Sequence, residues 1–386
     1  GFEVGPMYAR VLAQVQRFGL GLHGWIGDPI RYALHIDDQL MPTSQWAQAD
    51  ENPLDEPLRT RPPFALAGAF LPEASPLASL ESWLEPAAAQ RWDLPYGDYL
   101  RAQGADDAAL HLLSVGFTAD DINDMSLMWM LRQQKVREFS REAGPLQFID
   151  GGMHALLGAM HDSLKGDLEL ACAVTSIETM RDGVEVGCSG GRRYRADHVI
   201  STVPLTTLRD IAIHPGLPEL QHAAVSSIPY GHGSSVFLPV REPYWEEDGL
   251  PPSIWSDGML PRVMKWQSQQ GEYLWVYLSG KANIFCRNNP DDVVMEMVMA
   301  ELKRIRPATQ GRVERGEVMC WSKRPWSMGT FAYRGPGDVR RFGDVINQPH
   351  GRLHFAGEHT AVLSMGLEGA MESGERAAFE VLEQLG

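Results

Sequence analysis

The stretch GRLHFAGEHTAVLSMGLEGAMESGERAA, residues 351 to 378, decides how the chain is read. Arg352 to Glu358 has the pattern of a short buried strand that breaks into a glycine turn at Gly357. From Glu368 to Leu385 the apolar positions recur at helical spacing, so a closing helix is expected there. The same order occurs upstream, where Gln147-Phe-Ile-Asp150 runs into Gly151-Gly152 and then Met153, Leu156, Leu157, Met160 and Leu164 fall at helical spacing. After that the period changes to two. Leu168, Leu170, Cys172 and Val174 alternate, as do Val184, Val186 and Cys188, and Arg195 to Pro204 reads as a strand ended by proline. A small antiparallel sheet feeding back into a larger one is expected.

Further out, residues 6–20 read as one helix with Met7, Val11, Leu12, Val15 and Phe18 on one face. Nine prolines between Pro42 and Pro95 suit short helices and irregular crossing segments. Residues 105–140 look helical; 228–240 and 272–280 look like strands. A helix follows them with Asn289 as N-cap, Pro290 at its first position and Asp291 and Asp292 in its first turn. Its methionines, Met295, Met297 and Met299, are expected in the core.

Composition bounds the class. The chain has 386 residues, 44% hydrophobic and 22% charged, which suits a globular protein of about two domains. Lys plus Arg is 34 against 50 Asp plus Glu, a net charge of −16, and a field of that sign repels nucleic acid and anionic lipid. The four cysteines, Cys172, Cys188, Cys286 and Cys320, include no C-x-x-C pair, which argues against a disulfide scaffold or a cysteine-rich metal site. A reducing, cytoplasmic setting fits. No apolar run approaches the ~20 residues of a membrane span. The chain opens GFEVGPMY without an initiator Met, so a leader or larger upstream segment is expected to be missing from it.

Three motif matches carry no chemistry on this reading. Gly19-Leu-Gly21-Leu-His-Gly24 has dinucleotide-binding spacing, yet a helix precedes it and Pro29 follows it closely, the reverse of the strand and helix that the motif needs. It reads as a helix C-cap. Gly187-Cys-Ser189-Gly-Gly191 matches a hydrolase elbow but leads into another strand, so it reads as a hairpin turn. His350 and His354 are four apart, but Gly351 and the strand-like Leu-His-Phe deny them a shared helix face, and no metal is expected.

The segment 351–378 resembles the C-terminal motif of the flavin amine oxidase superfamily, which includes monoamine oxidases, polyamine oxidases and L-amino-acid oxidases. Three earlier pieces agree in order and spacing: Gly151-Gly152 with its helix, the Val174 strand followed by Asp197 to Pro204, and Glu242-Pro-Tyr-Trp245 with Trp321 to Tyr333. More loosely, Glu3 to Met7 agrees too. The resemblance implies a two-domain α/β FAD-dependent fold. A discontinuous FAD-binding domain of Rossmann type would comprise 1–25, 145–208 and 345–386, and a substrate domain of mixed sheet and helices 26–144 and 209–344.

It also implies roles for particular residues. Glycine at a strand end lets backbone approach a flat cofactor, so Gly357 would do so, and Glu358 would accept hydrogen bonds from ribityl hydroxyls. Val174 would present its backbone to adenine, and Thr202 to Pro204 would wall the cofactor. Trp321 and Trp326 would flank the flavin edge, or lie in the core. Gly366 and Leu367 would begin a helix whose N–H groups face the flavin N1/C2 edge, where negative charge gathers on reduction. Phe331 would supply one aromatic wall of the substrate pocket.

The sequence departs from the family in three places. The family's dinucleotide motif and acidic ribose-binding residue normally precede the point where this chain begins, so the chain as given is expected to bind FAD weakly and an upstream-extended form to be yellow. The flavin-proximal lysine is replaced: Ser235 stands there beside Ser234, and no lysine occurs between Ile228 and Val240. The second aromatic ring of the substrate pocket is replaced by Gly366 or Leu367. No cysteine lies near Gly329, where some members attach FAD covalently, so noncovalent FAD is expected. The implied function is oxidation of an amine or amino acid by hydride transfer to flavin N5, with no protein base nominated. Two alternatives stay open. One is a flavin dehydrogenase or desaturase of a non-amine substrate; the other is a non-catalytic scaffold of the same fold.

Overall fold

The computed structural model describes residues 3–268 and 271–386. Its largest element is a seven-stranded sheet in the order Glu317–Cys320, Ser234–Pro239, Gly271–Leu278, Arg262–Ser268, Ser253–Ser256, Tyr32–Ile36 and Gln39–Pro42. Neighbours are antiparallel except Ser253–Ser256 with Tyr32–Ile36. Side chains alternate across a strand. Val236, Leu238, Leu274, Val276 and Leu278 therefore form one buried face, which packs on Val294, Val298 and Leu302 of the helix Asp291–Ile305. The opposite face carries Ser235, Phe237, Trp275 and Tyr277, with Phe237 and Trp275 paired across the strands at 6.4 Å.

The proline-rich stretch forms short 3-10 and α-helical turns. They enclose a core of Trp46, Trp83, Tyr96, Leu100 and Leu112 together with Leu127 and Leu131 of the helix Leu127–Ala143. A third core joins Ile177 and Val184 to Leu205, Leu208, Leu353 and Phe355. A fourth joins Val4, Val11 and Val15 to Ile149 and Leu156.

Several expectations are met locally. The N-terminal helix runs Ala9–Arg17 and ends in a left-handed Gly19 (φ 64°). Ser189 to Gly191 lie in the turn between the antiparallel strands Gly183–Cys188 and Arg193–Ala196. Met295 is buried, with Met297 and Met299 packed against the same core.

Others are corrected. The alternating residues from Leu168 are not a strand: pairing begins at Val174, and Leu168 and Leu170 are exposed. Alternation alone does not make a strand when no neighbouring strand pairs with it; here the Ala171 carbonyl is taken by the Arg192 side chain at 2.6 Å instead. Pro290, not Asn289, caps Asp291–Ile305, because Asn289 instead ends a preceding helix, Gly280–Asn288, that the strand expectation for 272–280 had not separated. The helical region 105–140 is two α-helices, Asp107–Ser114 and Leu127–Ala143, begun by side-chain caps from Asp106 and Ser126, with the short 3-10 helix Ile122–Asp124 between them. No described helix is long and apolar enough to cross a membrane.

Candidate cofactor and substrate site

Two short strands, Val199–Ser201 and Leu353–Phe355, pair in parallel in the register Val199↔Leu353 to Ser201↔Phe355, and the Ala356 N–H continues the pairing to the Ser201 carbonyl at 2.9 Å. The segments leaving their carboxyl ends, Thr202 to Pro204 and Ala356 to Glu358, therefore emerge side by side. That is where α/β folds place ligands, since the backbone there is no longer committed to the sheet. Gly357 makes the turn: its φ is 126°, and a Cβ would lie 2.4 Å from the His359 ring. Its N–H is held by Ser373 Oγ at 2.8 Å.

A cavity of about 590 Å³ opens here, lined by Tyr8, Met153, Leu156, Thr330, Phe331, Glu358, Gly366 and Leu367, among others. Glu358 accepts the Ala332 N–H on Oε1 at 2.8 Å, and no described residue donates to Oε2. Burial pushes its carboxyl above the usual range, against that hydrogen bond and the nearby charges of Arg132 and Arg334. The helix Gly366–Leu385 starts at the same cavity. Its N-cap residue, Met365, offers no side-chain cap, so among the described residues the amides of Gly366, Leu367 and Glu368 have neither a capping nor an intrahelical acceptor, whereas Gly369 bonds the Met365 carbonyl at 3.2 Å. Gly366 sits at φ 57° with open space where a Cβ would be.

Val174 and Trp326 line a second cavity of about 660 Å³ together with Cys172, Val203, Thr207 and Ile211. Trp326 is 70% exposed and Trp321 45%, so neither is a core residue; the core alternative is corrected. Thr202 is exposed beside Val203, and Pro204 caps the short helix Leu205–Leu208.

Ser235 lines neither cavity. It accepts the Trp275 indole N–H at 2.9 Å, whereas Ser234 points to the other face and donates to Asn283 at 2.6 Å. His350 and His354 are not a metal pair, since His354 bonds Glu380 (2.9 Å) and His198 (3.2 Å) while His350 contacts the Pro215 carbonyl. Among the described residues no cluster of His, Cys, Asp or Glu could hold a metal.

Sequence reasoning missed Tyr8, Met153 and Thr330 as cavity residues. Tyr8 follows directly on the Glu3 to Met7 match, which was the available signal. It missed Arg132 and Arg334 altogether: both are buried, and burial lowers both guanidinium pKa values, that of Arg132 to about 9. Neither lies in a motif.

The sequence matches the family model described as flavin containing amine oxidoreductase over residues 98–382. It is 28% identical to the flavin-dependent L-tryptophan oxidase RebO of Lentzea aerocolonigenes over 239 residues, covering 58% of this chain and 50% of that protein. It is 28% identical to flavin-containing amine oxidase A of Sus scrofa over 290 residues, covering 68% and 53%. The chain thus spans about half the length of these curated relatives. Among solved structures, cyclohexylamine oxidase from Brevibacterium oxydans has the same fold at a TM-score of 0.79 and 18% identity, covering 100% of this chain and 87% of that one. Putrescine oxidase bound to putrescine matches at 0.77 and 19%, covering 99% and 88%. With that model spanning most of its length, the chain belongs to the flavin containing amine oxidoreductase family.

Proposed function

We propose that the protein holds FAD noncovalently and oxidises an amine or amino acid. The observation that carries this reading is one cavity that receives both an uncapped helix N-terminus and a carboxylate with an unclaimed oxygen, at the carboxyl ends of two parallel strands. The fit with FAD is chemical. Free backbone N–H groups at a helix start suit the electron-rich edge of a flavin, and the Glu358 Oε2 suits a hydroxyl donor. Gly357 and Gly366 keep Cβ atoms away from a flat ring. Val174 and Val203 would hold the nucleotide end in the second cavity, with Thr202 and Pro204 beside it; Trp326, expected at the flavin edge, lines this cavity instead, which leaves Trp321 toward the flavin edge. FAD, when bound, supplies the two-electron acceptor for oxidation of the bond between carbon and nitrogen.

The chain's own part is to bind, orient and keep water out. Phe331, Leu367, Met153 and Leu156 give the Glu358 cavity an apolar lining, which suits the carbon skeleton of a substrate. Thr330 donates its hydroxyl to the Gly231 carbonyl at 2.7 Å and so offers a substrate acceptance only. The titratable groups lining this cavity are Tyr8 and Glu358. Burial and the nearby Glu3 and Glu368 charges push the Tyr8 phenol up, so at neutral pH it is a donor rather than a base. Such a cavity selects a neutral amine by placement. The 1–25, 145–208 and 345–386 pieces form the cofactor part on this reading, and 26–144 with 209–344 the substrate part.

The test uses protein produced from its complete reading frame. Tight FAD binding, followed by anaerobic bleaching of the flavin with a panel of primary amines and L-amino acids, is the expected result. A flavoprotein bleached by none of them would replace this reading with a dehydrogenase or desaturase of a non-amine substrate, and a colourless protein with a scaffold.

Ser235 at the lysine position leads to a further expectation, that reoxidation by oxygen is slow relative to a quinone-like dye, because no cation there stabilises the charge that develops on oxygen. Ser235 itself lines neither cavity, so Ser235→Lys should raise the oxygen rate through the reach of its longer side chain. Lysine has no acceptor to replace the hydroxyl that takes the Trp275 indole N–H, so a thermal melt precedes the stopped-flow measurement. Wild-type reoxidation in air as fast as turnover with the best dye would remove the lysine argument.

A further inference from the structure

We infer that Arg132, working with Glu372, is a positioning residue for the cavity: together they clamp the segment Ala361 to Ser364, which fixes Glu358 relative to the N-terminus of the helix Gly366–Leu385. The inference rests on the reading of that cavity as the flavin site. The segment joins the cavity's two polar features and belongs to no strand or helix, so its backbone groups need partners from elsewhere. Arg132 supplies those for the carbonyls. Its Nη2 lies 2.9 Å from the Ala361 oxygen, 3.2 Å from that of Val362 and 2.9 Å from that of Ser364. The Trp83 indole N–H adds a second donor to Val362 at 2.9 Å. Glu372 serves the amides, Oε1 accepting from Val362 (2.8 Å) and Leu363 (3.0 Å) and Oε2 from Ser364 (2.8 Å). A cation takes the carbonyls and an anion the amides, so each set is held by the charge that suits it.

Packing alone does not account for Arg132. It is 2% exposed and lies between two indoles, 4.2 Å from the Trp83 ring and 4.7 Å from that of Trp129, a space an aliphatic side chain would also fill. Its Nε has no partner among the described residues, a cost that a methionine would not carry. What the guanidinium adds is direction. It reaches from the helix Leu127–Ala143 to a segment more than 200 residues later and makes three carbonyls converge on one nitrogen.

The test compares wild type with Arg132→Met, Arg132→Lys and Glu372→Gln in the full chain. Amide exchange is read at Val362, Leu363 and Ser364 without ligand, against the strand Gly271–Leu278 as internal reference, and FAD affinity by quenching of flavin fluorescence. Arg132→Met is expected to speed exchange at the three amides by about tenfold with the reference strand unchanged, and to weaken FAD by about tenfold. Arg132→Lys, which keeps a donor cation, should recover most of that affinity. Glu372→Gln should speed the same three amides, and it carries the test with the lysine variant where the methionine variant does not fold.

Exchange at 362–364 unchanged, or rising equally with the reference strand, would overturn the clamp. Faster exchange with unchanged FAD affinity would overturn the positioning role. Wild type that takes up no FAD would sink the flavin reading instead, while the exchange data still decide the clamp.

Discussion

Glu358→Ala is expected to raise the dissociation constant for FAD by roughly 10- to 150-fold, the equivalent of about 1.5–3 kcal/mol for one charge-assisted hydrogen bond whose partner is left dry. The alanine also removes the acceptor of the Ala332 N–H, so part of the loss could come from a shifted cavity wall. Glu358→Gln separates the two effects. It keeps an oxygen for Ala332 and gives up only the charge, so its loss should fall between wild type and alanine.

The pH dependence supplies an independent sign. Burial holds the Glu358 carboxyl above its ordinary value of 4.5, and the ionised form is the one that accepts hydroxyls. FAD affinity of the wild type should therefore fall as pH drops through that raised value, while the glutamine variant stays flat. Stability of the ligand-free protein should move the other way. An acid whose folded pKa exceeds its unfolded one binds more protons when folded, so this group's contribution falls as pH rises. Isothermal titration across the acid range checks the first trend and thermal melts the second. An alanine variant with wild-type affinity would take Glu358 out of the site.

The largest stability loss is expected from Arg306→Met, at about 1.5–3 kcal/mol, or a fall in Tm of roughly 3–12 °C. Arg306 is 1% exposed and meets Asp248 with two nitrogens, Nε at 2.8 Å and Nη2 at 2.6 Å. It also donates to the carbonyls of Pro251 (2.6 Å) and Leu250 (3.0 Å) and lies 4.7 Å from the Tyr244 ring. Methionine fills much of the volume but removes the charge-assisted bonds to Asp248 and the donors of the half-buried Leu250 and Pro251 carbonyls, and those lost bonds are the source of the loss.

Burial pushes the Asp248 carboxyl up, but its bonds to Arg306 and to the Leu250 N–H outweigh that and hold it below 3.8. A depressed carboxyl stabilises the fold above its unfolded pKa and loses that contribution as pH falls through the folded one. The gap between wild type and Arg306→Met should therefore be full at neutral pH and shrink below about pH 4. Calorimetry at both pH values decides it. A variant melting within about 2 °C of wild type at neutral pH would show the pair to be dispensable.

What the sequence by itself determined are the features whose cause is local. The strand Leu353–Phe355, its glycine turn and the helix Gly366–Leu385 are legible because their apolar spacing and the Gly357 conformation depend on near neighbours. The helix Asp291–Ile305 is legible for the same reason, to within its cap. Glu358, Gly366 and Leu367, and separately Phe331, stand in segments that carry a family motif, and one cavity receives all four.

Tertiary structure decided whatever depends on a distant partner. Leu168 to Cys172 alternates like a strand, but no neighbouring strand takes up its backbone, so it stays out of the sheet. Ser235 reads as a vacant lysine position, yet its surroundings are set by Trp275 on the adjacent strand. Arg132 has no local signature at all, because its acceptors lie on the far side of the chain. Tyr8, Thr330 and Leu367 line a common wall only because separate segments converge there. Periodicity records what a residue does with neighbours a turn or a strand away, whereas contacts between remote segments leave no periodic trace.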